Sequence, residues 1–84
     1  MKKQKVGEVT HFFDKIGVAA IKLTAGLKIG DKISIEKEER KVEQTVDSIQ
    51  INKEKLKEAK AGQEIGMKTV QPVKAKDEVF KITE

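Results

Sequence analysis

His11 is the single histidine of this 84-residue chain, and the chain contains no cysteine. Those two facts bound the available chemistry. A thiol nucleophile and a thiolate metal site are excluded, and one imidazole cannot supply a histidine metal cluster. A serine nucleophile, Ser34 or Ser48, with His11 as its base is the remaining constellation. Neither serine lies in a motif that would activate it. The sequence therefore points to no catalytic residue, no metal and no cofactor, and the chain is expected not to be an enzyme. His11 itself is read as an outward residue of the first strand, or as filling a half-buried slot with its ring nitrogens bonded.

Binding chemistry is better represented. The chain has 18 basic and 14 acidic residues, for a net charge of +4. Residues 1–42 carry ten basic and six acidic side chains, whereas residues 43–84 carry eight of each, so the excess lies in the first half. Lys2, Lys3 and Lys5 supply much of it. Arg40 is the only arginine. Lysine is a flexible point charge without the planar fork that reads base edges, so any nucleic acid would be held through its phosphates. Phe12 and Phe13 are neighbours on a strand and should point to opposite faces. One belongs to the core. The other, beside Lys15, offers a surface for a base or for a partner's apolar side chain; alternatively the hairpin curls over and buries both. The candidate contact set is Lys2, Lys3, Lys5, His11, Phe12, Phe13, Lys15 and Lys22. Lys53, Lys55, Lys57 and Lys60 interleave with Glu54 and Glu58 and read as a solvated mixed-charge face.

These residues need a scaffold, and period-2 alternation with frequent β-branched residues dominates the chain. Residues 1–5 read as a basic tail and 6–84 as one domain, since 84 residues cannot bury two cores. Strands are expected at 5–13 and 18–23, joined by a turn at Gly17, and at 32–36. A longer strand over 41–51 has a phase fault: Val42 and Val46 share one parity, Ile49 and Ile51 the other. A β-bulge near Asp47 or Ser48 would let all four face inward. Asn52 and Gly62 read as the cap and stop of one short helical turn, with Ile51 and Leu56 as its hydrophobic staple. Strands at 63–70, where Gly66 suggests a bend or a close backbone approach, and at 76–82 complete the set. The expected fold is all-β: a small closed six-stranded barrel with one helical turn. Its interior is too small for a ligand and should be filled by side chains.

One phrase occurs twice, "LKIGDKI" at 27–33 and "VKAKDEV" at 73–79. It reads as two similar corners leading into strands, with Gly26 and Gly30 in the loop before the first strand and with Asp31 and Asp77 bonding backbone amides. Lys76 stands where the first copy has Gly30, so the second corner either avoids a positive φ or bears a small strain.

"GLKIGDKISI" (26–35), "VDSIQINKEKLKEAKAGQEIGM" (46–67) and "VKAKDEVFKI" (73–82), taken in order, resemble the second, β-barrel domain of translational GTPases such as elongation factor Tu. "AKAGQEIG" (59–66) fits that pattern closely, and the likeness covers roughly residues 6–82. "GEVTHFFDKIGVAAIKL" (7–23) is similar to the C-terminal barrel domain of collagenase-like peptidases. The chain has no GxxxxGK[ST] loop, so no GTPase domain and no bound nucleotide are expected. Where the elongation factors hold the aminoacyl end of tRNA, Ser48, Ile49, Gln50 and Ile51 bring no aromatic, and that pocket is not carried over. The resemblance implies a non-catalytic translation-type module that contacts RNA, tRNA or the ribosome through lysines. The alternative is an accessory module docking on an enzyme or translation factor near Phe12 or Phe13. No run of about 18–20 apolar residues is present and none follows the first lysines, so no membrane partner and a cytoplasmic location are expected.

Overall fold

Alternation of apolar and polar residues resolves into ten strands in the computed structural model, which describes residues 2–52 and 54–83. In chain order they are β1 (Lys2–Phe13), β2 (Val18–Leu23), β3 (Leu27–Lys28), β4 (Lys32–Lys37) and β5 (Arg40–Thr45). Then follow β6 (Ile49–Ile51), β7 (Glu54–Leu56), β8 (Glu58–Ala59), β9 (Glu64–Lys68) and β10 (Glu78–Thr83). Eight form one sheet in the order β5-β4-β10-β1-β2-β9-β6-β7, and β3 pairs with β8. Every pair is antiparallel. The fold is all-β, and among the described residues there is no helix.

β1 is where the sheet bends. Val6, Val9 and Phe12 all turn toward the core, although their spacing of three alternates faces in a regular strand. Two register shifts reconcile this, one between Lys5 and Gly7 against β10 and one between Val9 and His11 against β2. Each shift resets the parity and increases the local twist, so a long strand wraps around the interior. Lys2–Lys5, read from sequence as a tail, are instead part of this strand, with Lys2 opposite Thr83 and Lys5 opposite Phe80. Met1 lies outside the described residues.

The fault in 41–51 is larger than one bulge. The chain leaves β4 after Thr45, crosses residues 46–48, and continues as β6 beside β9, where Gln50 is opposite Gly66. Val42, Val46 and Ile49 are buried, and Ile51 packs partly against them. The backbone ladders do not join β7 to β5. Gln44 instead ties β5 to the end of β9: its Nε2 donates to the Lys68 carbonyl at 2.9 Å and its Oε1 accepts from the Val70 amide at 2.9 Å. A side-chain amide carries one donor group and one acceptor, as a peptide unit does, so it substitutes there for a ladder bond.

The expected helical turn over 52–62 is replaced by extended structure. β7 folds back on β6, pairing Ile49 with Leu56 and Ile51 with Glu54, and β8 pairs Ala59 with Leu27. A helix here would bury only Leu56 and Ala59, too little for so short an element to persist. The hairpin sets Leu56 against the core, and Ala59, opposite Leu27 in the β3–β8 pair, is buried as well. Asn52 is therefore not a cap. It takes a φ of 51°, a left-handed conformation that asparagine tolerates, in the β6–β7 turn. Lys53 lies outside the described residues. Gly62 ends no helix; its amide donates to the Leu23 carbonyl at 2.8 Å. Gly66 lies within β9 rather than in a turn.

The two echoed corners are superimposable in their hydrogen bonding. The Lys28 amide donates to Asp31 Oδ2 at 3.0 Å, and the Lys74 amide to Asp77 Oδ2 at 3.0 Å. In return the Asp31 and Asp77 amides donate to the carbonyls of Lys28 and Lys74. The Gly30 amide donates to Val46 and the Val46 amide to Asp31; likewise the Lys76 amide donates to Val9 and the Val9 amide to Asp77. Both corners need a positive φ before the aspartate, 94° at Gly30 and 76° at Lys76. Lys76 thus bears the strain that glycine avoids.

Gly7 is a close-approach position that the sequence reading missed. A Cβ there would lie 2.8 Å from the Lys22 carbonyl oxygen and 2.9 Å from Ile21 Cγ2, whereas at Gly26 the nearest atom is the Ala59 oxygen at 3.7 Å. Gly7→Ala is expected to destabilise the protein by roughly 1–3 kcal/mol. Gly26→Ala should stay within about 0.5 kcal/mol of the parent. Urea unfolding followed by circular dichroism measures both, and equal losses would contradict the crowding at Gly7.

Candidate functional site

The sequence-derived contact residues do not converge. Lys2, Lys3 and Lys5 are exposed along the first half of β1. Lys3 Nζ donates to Glu36 Oε2 at 2.8 Å and lies 5.8 Å from the centre of the Phe80 ring. Lys5 meets Glu78 at 3.6 Å. Lys22 donates to the Gly62 carbonyl at 2.8 Å. Lys15 is exposed in the β1–β2 turn. Several of these lysines are thus engaged by carboxylate or carbonyl oxygens.

The other end of β1 is apolar and aromatic. Phe12 packs on the core, while Phe13 is 47% exposed, so the hairpin does not bury both rings. The exposed His11 ring meets Phe13 edge to face, with centroids 4.4 Å apart. Ile16 and Val70 are more exposed still, at 63% and 65%. The Thr69 amide donates to the Gly17 carbonyl, which brings Val70 beside the hairpin tip. Sequence reading missed Ile16 and Val70, although an isoleucine inside the polar turn "DKIG" was a visible signal. Ile29, 43% exposed, lies elsewhere, on the first aspartate corner. It lines a shallow cleft of about 600 Å³ with Lys28, Lys57 and Glu58.

Electrostatics concentrates on three carboxylates. Asp77 is almost wholly buried and is held by Arg40 through both carboxylate oxygens. Asp31, at the equivalent place in the other corner, meets Lys81 at 3.4 Å. Each corner thus has its own cation. Glu36 accepts from Lys3 and, at 2.6 Å, from the buried hydroxyl of Ser34. The Lys3 bond first, and the Ser34 bond next, hold the Glu36 carboxyl below the usual glutamate range. Ser34 is thereby committed to Glu36 rather than to a histidine. Among the described residues no group of three potential ligands could hold a metal ion, and no helix is long and apolar enough to cross a membrane.

No known family profile matches the chain. A Methanocaldococcus jannaschii protein described as an uncharacterized protease is 39% identical over 84 residues, covering 99% of this chain and 21% of that protein. The chain therefore spans about a fifth of the length of the relative it matches. Two crystal structures of the C-terminal domain of a Geobacillus thermoleovorans protein designated a U32 peptidase share the fold. One has a TM-score of 0.88 over 95% of this chain and 93% of that domain. The selenomethionine variant gives 0.85 over 90% and 96%. Both are 18% identical in sequence. This supports the peptidase-domain resemblance at the level of fold; neither relative bears on the elongation-factor resemblance.

Two outcomes follow from the carboxylates. Asp77→Asn leaves the partly buried Arg40 charge without its partner and should cost about 2–4 kcal/mol. Asp31→Asn, facing the longer Lys81 contact, should cost about 1 kcal/mol. Urea unfolding of both variants checks the order, which is the informative result. For Glu36, a lowered folded value means that its contribution is complete above the ordinary glutamate value and is lost as pH falls through the folded one. Lys3→Met should therefore be less stable than the parent at pH 7 by roughly 0.2–1 kcal/mol, and the two should converge once Glu36 is protonated. A gap undiminished at acid pH would mean that Lys3 acts through its ammonium over the Phe80 ring rather than through Glu36.

Proposed function

We propose that this chain is a non-catalytic accessory domain that docks on the catalytic part of a peptidase-type protein. The observation that carries this reading is the alignment of nearly the whole chain with one fifth of a relative described as a protease. The fold of a C-terminal domain of a protein designated a U32 peptidase adds to it. The chain's own chemistry is consistent with such a role. Its buried polar side chains, Asp31, Ser34, Gln44 and Asp77, are all engaged in bonds that hold the fold.

In this reading the curled sheet works as a rigid six-stranded barrel. β1, β2, β4, β9 and β10 form five staves, and the continuous stretch from β5 to β6 forms the sixth. A rigid body with exposed apolar positions suits the positioning of a neighbouring domain. Contact with RNA is the less favoured role, because Lys3 and Lys5 are turned to Glu36 and Glu78.

The test is co-expression of this chain, tagged, with the Methanocaldococcus jannaschii relative lacking its matching fifth. A complex of one chain to one catalytic part is the expected outcome on gel filtration. No complex, with both components folded by circular dichroism, would overturn the reading.

A further inference from the structure

The sheet brings both ends of the described chain to one place: Lys2 is opposite Thr83, and Lys3 opposite Ile82. Ile82 in turn is opposite Lys32, and Lys81 reaches Asp31. The first aspartate corner therefore stands beside the chain ends. In a protein of the relative's length, whatever precedes or follows this domain must join at this end. Phe13 lies at the other end of β1, beyond both register shifts.

Ile29 sits on that corner. The Ile29 amide donates to the Lys57 carbonyl, fixing the residue over the β3–β8 pair while its side chain stays 43% exposed. Lys28 and Lys57 line the apolar cleft around it, and Lys60 lies just beyond, beside Lys28 and Lys81. Among the described residues Lys28, Lys57 and Lys60 make no ion pair, in contrast to Lys3, Lys5 and Lys81. Glu58 is the one carboxylate that lines both clefts, so three unpaired lysines outnumber it around the apolar centre, and the balance suits a partner surface with an apolar anchor and a predominantly acidic rim.

We propose that the face centred on Ile29, with Lys28, Lys57 and Lys60 around it, seats the catalytic part of the peptidase-type protein. This rests on the accessory-domain reading and adds the face and the chemistry of the partner surface.

Hydrogen exchange on the co-expressed complex, compared with the free chain, tests the face. Protection is expected at 27–29 and 57–59, with the hairpin tip at 13–17 and Val70 unchanged. Ile29→Asp should weaken the complex by about tenfold or more, and Ile16→Asp by less than about twofold. Both residues are exposed, so each variant should fold as the parent does. Lys57→Glu provides a second variant and should weaken binding more at low salt than at high salt. Protection at the hairpin tip, with loss on Ile16→Asp instead, would overturn the face and leave the accessory-domain reading standing. Failure of any complex to form would overturn that reading, and this inference with it.

Discussion

Two carboxylates decide where the chain turns. Asp31 and Asp77 each accept the amide three residues back while returning their own amide to the same residue's carbonyl. A turn closed at both ends in this way has little freedom left. β4 begins immediately after Asp31 and β10 immediately after Asp77, and these two strands are neighbours in the sheet. Their register, Ile33 opposite Lys81 and Ile35 opposite Val79, is therefore set by where the corners stop. The corners are also tied across the molecule, one to Val46 and the other to Val9. Buried anions would be costly alone, and Arg40 and Lys81 offset that cost.

Between the corners the sheet must curl tightly, because a chain this short has a small core. It does so by breaking regularity at chosen places. β1 takes two register shifts, and the strand begun at Arg40 changes partner at 46–48. Those irregularities turn Val6, Val9, Val46 and Ile49 inward together. Gln44 then supplies with a side chain what the backbone ladder leaves open. Gly7 allows β1 to approach Lys22 on β2 more closely than any side chain would permit.

Much of this was legible in the residue pattern. The alternation gave the long strands, the repeated phrase gave the two corners, and the phase change between Val46 and Ile49 gave the break. The region 52–62 was misread because Asn52 and Gly62 are favourable both as helix caps and as turn residues. Only the pairing of Leu56 with Ile49 and of Ala59 with Leu27, both distant in mechanism from local propensity, decides between them. The lysines of β1 were visible as charges, but their pairing with Glu36 and Glu78 depends on strands more than thirty residues away. Gly7 was passed over for the same reason: the crowding comes from β2, not from its own neighbours in sequence. The exposure of Ile29 and Val70 depends on where turns project, which alternation does not encode, whereas Ile16 was marked by its place inside a polar turn.

The meeting of Lys2 with Thr83 has a bearing on connectivity itself. With the two ends side by side, a few linking residues would join them, and the backbone could be opened instead at the solvent-facing turn between β1 and β2. Every strand pairing apart from that hairpin's own covalent link would be kept. Such a circular rearrangement would carry the points of attachment from one pole of the domain to the other. The architecture is thus indifferent to where its thread is cut, while the geometry of anything fused to it is not.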